Sequence, residues 1–256
     1  MTLQGRVAIV TGGGRGIGKG ISLALAEAGA KVAIIYRRDE NAAQQTLTEI
    51  KALGATAALY RADLTDYDAL KQAVEETART FGKIDILVNN AGIASRGLSV
   101  LDTDVDELRR VIDIHAIGSF CITQAVLPIM RLQPRSDIIF ISSVAVETMM
   151  PCGAPYNMAK SALEALAMTL AKEERPQGIR VNVIRAGLIE TDMGIRLAKA
   201  RRGIKDIKEI YPVSPFGRVG IPSDIGNTVV FLCSKGAEYI TSAIIKVSGG
   251  DDLPDM

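Results

Sequence analysis

Tyr156-Asn157-Met158-Ala159-Lys160 sets a phenol and an ammonium four residues apart. On a helix that spacing puts both side chains on one face. Pro155, directly before the tyrosine, suits a helix start. A free phenol has a pKa of about 10 and is a poor acid–base group near neutrality. A neighbouring ammonium favours the phenolate and lowers that value. Tyr156 is therefore a candidate to give a proton to a carbonyl oxygen, or to take one from a hydroxyl. Ser143 follows the apolar run Ile138–Ser142 and is a candidate hydrogen-bond donor to the same oxygen. A YxxxK element alone arises by chance, so its weight depends on what accompanies it.

What accompanies it is a glycine-rich turn, Thr11-Gly12-Gly13-Gly14-Arg15-Gly16-Ile17-Gly18, at the end of the first apolar run. The glycines fall as TGxxxGxG rather than GxGxxG, but the physics is shared. Gly12 permits a sharp turn, Gly16 lets backbone N–H groups approach a pyrophosphate, and Gly18 lets the next helix pack closely. The helix N-terminus then faces the phosphates with its partial positive charge. A tight loop without a ligand is the alternative, and the position at the first strand–helix junction weighs against it. The second run ends Ile34-Ile35-Tyr36-Arg37-Arg38, and Asp39 comes only after both arginines. An NAD site usually carries an acid at that strand end, whereas arginine suits the 2′-phosphate of NADP. The expected cofactor is NADP(H), with Arg15 as a further cation; otherwise Arg37 and Arg38 are solvated surface charges. A bound oxidised nicotinamide would lower the Tyr156 pKa further, and Lys160 can reach ribose hydroxyls.

These groups need a scaffold, and the chain supplies a regular one. Short apolar runs at Val7–Val10, Val32–Tyr36, Ala57–Tyr60, Ile84–Val88, Ile138–Ile141, Val181–Ile184 and Ile244–Val247 alternate with segments of helical spacing such as Ile17, Ile21, Leu25 and Ala28. Continuous apolar strands between helices predict a parallel sheet covered on both faces. Right-handed crossovers make it a doubly wound α/β Rossmann fold with seven strands, as one domain over 1–256. Residues 188–215 break the rhythm and are expected to form a lid over the substrate.

Composition narrows the function classes. The 256 residues carry 30 Lys plus Arg against 29 Asp plus Glu, a net charge of +1, which offers no footprint for nucleic acid or an anionic membrane. Aromatics are 4% with no Trp, so a base-stacking platform is not expected. Three scattered cysteines and one histidine leave no thiolate or histidine-rich metal site and suit a reducing compartment. No signal peptide and no segment of membrane-span length are read in the sequence, so the expected location is cytoplasmic.

In combination the motifs resemble the short-chain dehydrogenase/reductase family along essentially the whole chain. TGxxxGxG at 11–18, Asp63-Leu64, Asn89-Asn90-Ala91-Gly92, Ser143, YxxxK at 156–160 and Gly187…Thr191 fall in that family's order, with the serine thirteen residues before the tyrosine. The resemblance implies that Asp63 and Leu64 hold the adenine and that Gly12, Arg15, Gly16, Ile17 and Gly18 cradle the phosphates. It also implies that Asn90, Ala91 and Gly92 line the cofactor cleft and that Gly187, Ile189 and Thr191 contact the nicotinamide. Two positions depart from the pattern. His115 stands where an asparagine usually helps a proton relay towards the lysine, and Ala186 stands where a proline usually precedes Gly187. His115 is a candidate relay group that titrates near neutrality, or else a buried histidine satisfied by backbone. YRRDENA, FGRVGIPSDI and Ile245–Gly250 are similar to stretches of bacterial 3-oxoacyl-(acyl-carrier-protein) reductases. That similarity implies reduction of a 3-oxoacyl thioester, possible docking of an acidic acyl carrier protein on Lys199, Arg201, Arg202, Arg135 or Arg175, and a homotetramer. That tetramer would be built on the helices around 104–132 and 153–176 and the last strand, with the polar tail Asp251–Met256 near a subunit surface. Relatives acting on sugars, steroids or small ketones share these stretches and form the alternative; a regulator that binds NADP without turnover is a further one.

Overall fold

The computed structural model describes residues 1–250, apart from the side chains of Arg201 and Arg202. The basic pair Arg201-Arg202 and the tail Asp251–Met256 discussed above therefore lie outside the described residues. Seven strands form one sheet: β1 (Val7–Thr11), β2 (Lys31–Tyr36), β3 (Ala57–Arg61), β4 (Ile86–Asn89), β5 (Ser136–Ser143), β6 (Ile179–Ala186) and β7 (Ile244–Val247). Their order is β3-β2-β1-β4-β5-β6-β7, and every neighbouring pair is parallel. The helices are α1 (Gly16–Glu27), α2 (Glu40–Ala52), α3 (Tyr67–Phe81), α4 (Val105–Ile112), α5 (Gly118–Met130), α6 (Ala145–Thr148), α7 (Ala154–Glu174), α8 (Asp192–Arg202) and α9 (Pro222–Cys233). Each predicted apolar run becomes a strand, although β4 starts two residues late. Asp85 is held apart there: its carboxylate accepts the Val7 N–H at 2.7 Å.

The strands are apolar throughout because both faces are covered. Ala8, Val10, Val32, Ile34, Ile86 and Val88 pack against Ile21 and Leu25 of α1 and Ile225 and Val229 of α9. The alternate residues Ile9, Ala33, Ile35 and Leu87 pack against Leu70 of α3, Ile122 and Val126 of α5, and Leu163 and Ala167 of α7. Successive side chains of a strand point to opposite faces, so each strand feeds both layers. After β1 the chain enters the first layer, and after β4 it enters the second. The two strands are neighbours, so a crevice opens at their C-terminal ends, where ligands of such folds bind.

One expectation needs correction. The run Val105–Met130 is helical over 26 residues, α4 and α5 joined by a π-helical turn at Asp113–Ile117, and is long and apolar enough to cross a membrane. Its length was hidden in the sequence because charged residues crowd one end and apolar ones the other. Here Val111, Ile122, Val126 and Met130 are buried in the sheet's own layer. The insertion at 188–215 carries secondary structure of its own. It contains α8 and a 3₁₀ segment, Ile207–Val213, and these bury Ala198, Ile207 and Ile210 with Val219 in a small core of their own.

Candidate active site

Ser143 lies at the C-terminal end of the sheet, and α7, which carries Tyr156 and Lys160, is tied to the same strand by Lys160. Ser143 is the last residue of β5, and the Ala145 N–H donates to its oxygen at 3.2 Å. That leaves the hydroxyl hydrogen to donate elsewhere. Pro155 sits in the first turn of α7, and Tyr156 and Lys160 follow on one face, with Nζ 5.7 Å from the centre of the phenol ring. Lys160 is buried, and its Nζ donates to the Ile141 carbonyl at 2.7 Å. Burial pushes the ammonium down to about 7, against the opposing charge of Glu164 one turn further along.

His115 lies in the π-helical turn and is 2% exposed. Its ring meets Tyr156 edge-on, and Nε2 stands 2.8 Å from the Ile93 carbonyl and 3.1 Å from the Ile93 N. The shorter contact fits an Nε2–H that donates to the carbonyl, a tautomer assigned from the contacts. Nδ1 is then a bare acceptor, buried without a hydrogen-bond partner. The expectation of a titration near neutrality is not met. Burial, reinforced by the Lys160 charge, pushes the imidazole down to about 3, and only the Ile93 backbone bond opposes this. Gly92 makes room for the ring, since a Cβ built there would lie 2.2 Å from Cε1.

The glycine turn is built as a cradle. Gly16 has φ +53°, where a side chain strains the backbone. A Cβ on Gly18 would lie 2.1 Å from the Gly12 oxygen, so the close approach at Gly18 is to the turn itself rather than to the sheet. Ile17 follows half-buried against the α1 and α9 layer. Thr11 fastens this turn to β4: its hydroxyl oxygen accepts the N–H groups of Asn90 at 2.9 Å and Ala91 at 3.0 Å. Asn90 Nδ2 in turn donates to the Thr11 carbonyl at 2.8 Å. On the other side Thr191 caps α8, accepting the Gly194 N–H at 3.1 Å, and its methyl lies 3.5 Å from where a Gly16 Cβ would stand. Ile189 is buried, and Gly187 packs against Ser248. Without the usual proline, the chain at Ala186 is held by sheet bonds: Val144 N–H donates to the Ala186 carbonyl at 3.1 Å and Gly187 N–H to Val247 at 3.0 Å.

Arg37, Arg38, Arg61, Asp63 and Asp66 line an open cavity of about 310 Å³ beside this turn. Arg37 is 3.6 Å from Asp63, Arg15 is 3.8 Å from Asp39, and Leu64 is buried beneath, its carbonyl against Gly118. The cradle fits the phosphates of a dinucleotide, with these cations beside it. Arg61 was missed from the sequence. It ends β3 in register with Tyr36, so only strand pairing brings it beside Arg37, whose carbonyl accepts its Nε–H at 3.3 Å. Two basic candidates move away from the cleft. Arg135, just before β5 at the N-terminal end of the strands, donates to the Cys233 and Ser234 carbonyls. Arg175 lies just beyond the far end of α7, about 28 Å along the axis from Tyr156. Among the described residues no His, Cys, Asp and Glu group could hold a metal ion.

A dinucleotide cradle at the switch point of a doubly wound sheet, facing a Ser–Tyr–Lys cluster, defines a nicotinamide-dependent oxidoreductase. A family profile described as Enoyl-(Acyl carrier protein) reductase matches residues 12–251. The chain belongs to the short-chain dehydrogenase/reductase family. It is 36% identical to a 3-oxoacyl-(acyl-carrier-protein) reductase of Synechocystis over 97% of each chain. It is 37% identical to versicolorin reductase 1 of Aspergillus parasiticus, again over 97% of each. Its backbone superposes on NAD+-bound xylitol dehydrogenase with a TM-score of 0.90 and 30% identity, covering 98% of this chain and 100% of that one.

Proposed function

We propose that the protein reduces a carbonyl with NADPH, and that the carbonyl is that of a 3-oxoacyl thioester. The observation that carries the reaction is the Tyr156–Lys160 pair on α7, tied through Lys160 Nζ to Ile141, two residues before Ser143 on β5. A nicotinamide held in this cleft would supply a hydride to the carbonyl carbon. Ser143 donates its hydroxyl hydrogen to the carbonyl oxygen. Tyr156 gives that oxygen its phenolic proton as the alcohol forms. Lys160 favours the phenolate left behind and holds the ribose hydroxyls. His115 takes the place of the family asparagine as a neutral group, offering Nδ1 to a proton relay towards Lys160.

The preference for NADP rests on Arg37, Arg38 and Arg61 around one cavity, and on the absence of an acid directly at the end of β2. The remaining assignments, Gly12, Ile17, Asn90, Ala91, Gly92, Asp63, Leu64, Gly187, Ile189 and Thr191, follow the family pattern around that cleft. The insertion at 188–215 serves as the substrate lid, and its exposed Arg196, Lys199, Lys205 and Lys208 suit an acidic carrier protein. A homotetramer would cover the exposed Val105, Ile117 and Phe120 of the long helical run and Tyr239 and Ile244 near β7. Three free cysteines fit the cytoplasm.

A second reading, oxidation of a polyol, draws on the likeness to xylitol dehydrogenase. Steady-state rates with acetoacetyl thioesters, polyols, steroids and simple ketones separate the two. Tyr156→Phe tests the chemistry: turnover falls by about a thousandfold while NADPH stays bound. Undiminished turnover overturns the reading.

A further inference from the structure

A row of charge lies behind Ser143. Ser142, Arg185 and Lys246 stand side by side in register on β5, β6 and β7. Two carboxylates lie over this row. Glu164 of α7 accepts the Ser142 hydroxyl at 2.5 Å, the Arg185 Nε–H at 2.9 Å and an Arg185 Nη2–H at 2.6 Å. Glu147 of α6 accepts Arg185 Nη1–H at 2.6 Å and pairs with Lys246 Nζ at 2.9 Å. Arg185 touches both carboxylates, so it couples one helix to the other.

Each end of this ladder reaches a group of the proposed chemistry. Glu164 is one turn beyond Lys160, and the Lys160 ammonium is bound to Ile141, the residue before Ser142. Glu147 belongs to α6, which opens two residues after Ser143 and whose first N–H donates to the Ser143 oxygen. Four residues are too few for a helix to hold itself. The chain leaving α6 is also strained: Met149 has φ +45° and Cys152 φ +59°, both in the left-handed region. Local propensity therefore does not set the place of α6, and long-range ties must.

We infer that Arg185 is a positioning residue that binds α6 to α7 across the ends of β5 and β6 and so sets the spacing between the Ser143 hydroxyl and the Lys160 ammonium. The role rests on the reductase reading for its effect on rate, but not for its effect on structure. Charge is needed at Arg185 because Glu164 is 6% exposed, and a buried carboxylate without a cation is costly. The guanidinium fork is needed because three separate N–H groups are used at once.

The test uses the full-length protein and four variants. Glu147→Gln, at the solvent edge of the ladder, removes one charge without opening the core. Arg185→Met removes the bridge, Arg185→Lys keeps its charge alone, and Lys246→Met removes the outer cation. Four quantities are read: kcat and KM for acetoacetyl-CoA, the NADPH dissociation constant, and hydrogen exchange of the amides at 145–148. Glu147→Gln is expected to lower kcat about tenfold with KM and NADPH affinity within about twofold, the signature of a misplaced group. Arg185→Met lowers kcat further, Arg185→Lys recovers part of the loss, and the α6 amides exchange faster in both glutamine and methionine variants while β1 and β4 are unchanged. Unaltered kcat and unaltered exchange in Glu147→Gln and Arg185→Met overturn the inference. If the wild-type protein reduces no ketone, the reductase reading fails by itself. The exchange measurement then still decides the ladder: faster exchange at α6 upholds the tie and unchanged exchange refutes it.

Discussion

The imidazole of His115 meets the phenol of Tyr156 edge-on, with ring centroids 5.4 Å apart and planes at 88°. Edge-to-face contact is a favourable arrangement for two rings. It fixes the orientation of the phenol, and it does so with an uncharged ring.

His115→Asn is therefore expected to lower kcat about tenfold without moving the pH–rate profile between pH 5 and 9. An imidazole pushed down to about 3 carries no proton to lose in that window. Profiles of kcat/KM for both proteins check this. A limb near pH 6.5 in the wild type that vanishes in the variant would refute the neutral role.

Replacing Arg37 and Arg38 together by alanine should weaken NADPH binding by ten- to a hundredfold, about 1.5–3 kcal/mol for charged hydrogen bonds. NADH binding should change little, because the 2′-phosphate is the group these arginines would meet. Fluorescence titration with both cofactors measures the difference. Equal losses for the two would remove Arg37 and Arg38 from the phosphate site.

Lys160 also leaves a mark on stability. Its ordinary value of 10.5 falls to about 7 in the folded protein. Between those values the unfolded chain holds a proton that the folded one lacks. Stability of the cofactor-free protein from this group thus rises with pH across that window, and the gain is lost as pH falls towards 7. Lys160→Met removes this slope, which is at most ~1.4 kcal/mol per pH unit. Denaturant melts from pH 7 to 10 that run parallel in the two proteins would contradict the burial cost.

Gly18→Ala sets a methyl carbon 2.1 Å from the Gly12 oxygen, and backbone must move to relieve it. Overpacking of this kind costs about 1–3 kcal/mol. Because the part that moves is the phosphate cradle, NADPH affinity should fall more than the melting temperature suggests. Normal affinity in a folded Gly18→Ala protein would show that the cradle is elsewhere.

Much of the fold was open to reading because its signals are local. Each buried strand is an unbroken apolar run, and the glycine turn, Pro155 and the Tyr156–Lys160 spacing are confined to a few neighbours in the chain. What escaped had partners far along the chain. Arg61 reaches Arg37 only through the pairing of β2 with β3. Arg135 and Arg175 looked available for a carrier protein, yet one is tied to the end of α9 and the other lies beyond the far end of α7.

Sequence alone therefore determined the kind of sheet, the cradle and the Ser–Tyr–Lys set, since backbone propensity, burial period and helix spacing act over short stretches. Tertiary structure decided the state of those groups. Whether His115 is neutral, whether Lys160 is easily discharged, and whether Arg185 joins Glu147 to Glu164 depend on desolvation and on charges brought together from residues far apart in the chain. Those fields exist only once the chain has packed.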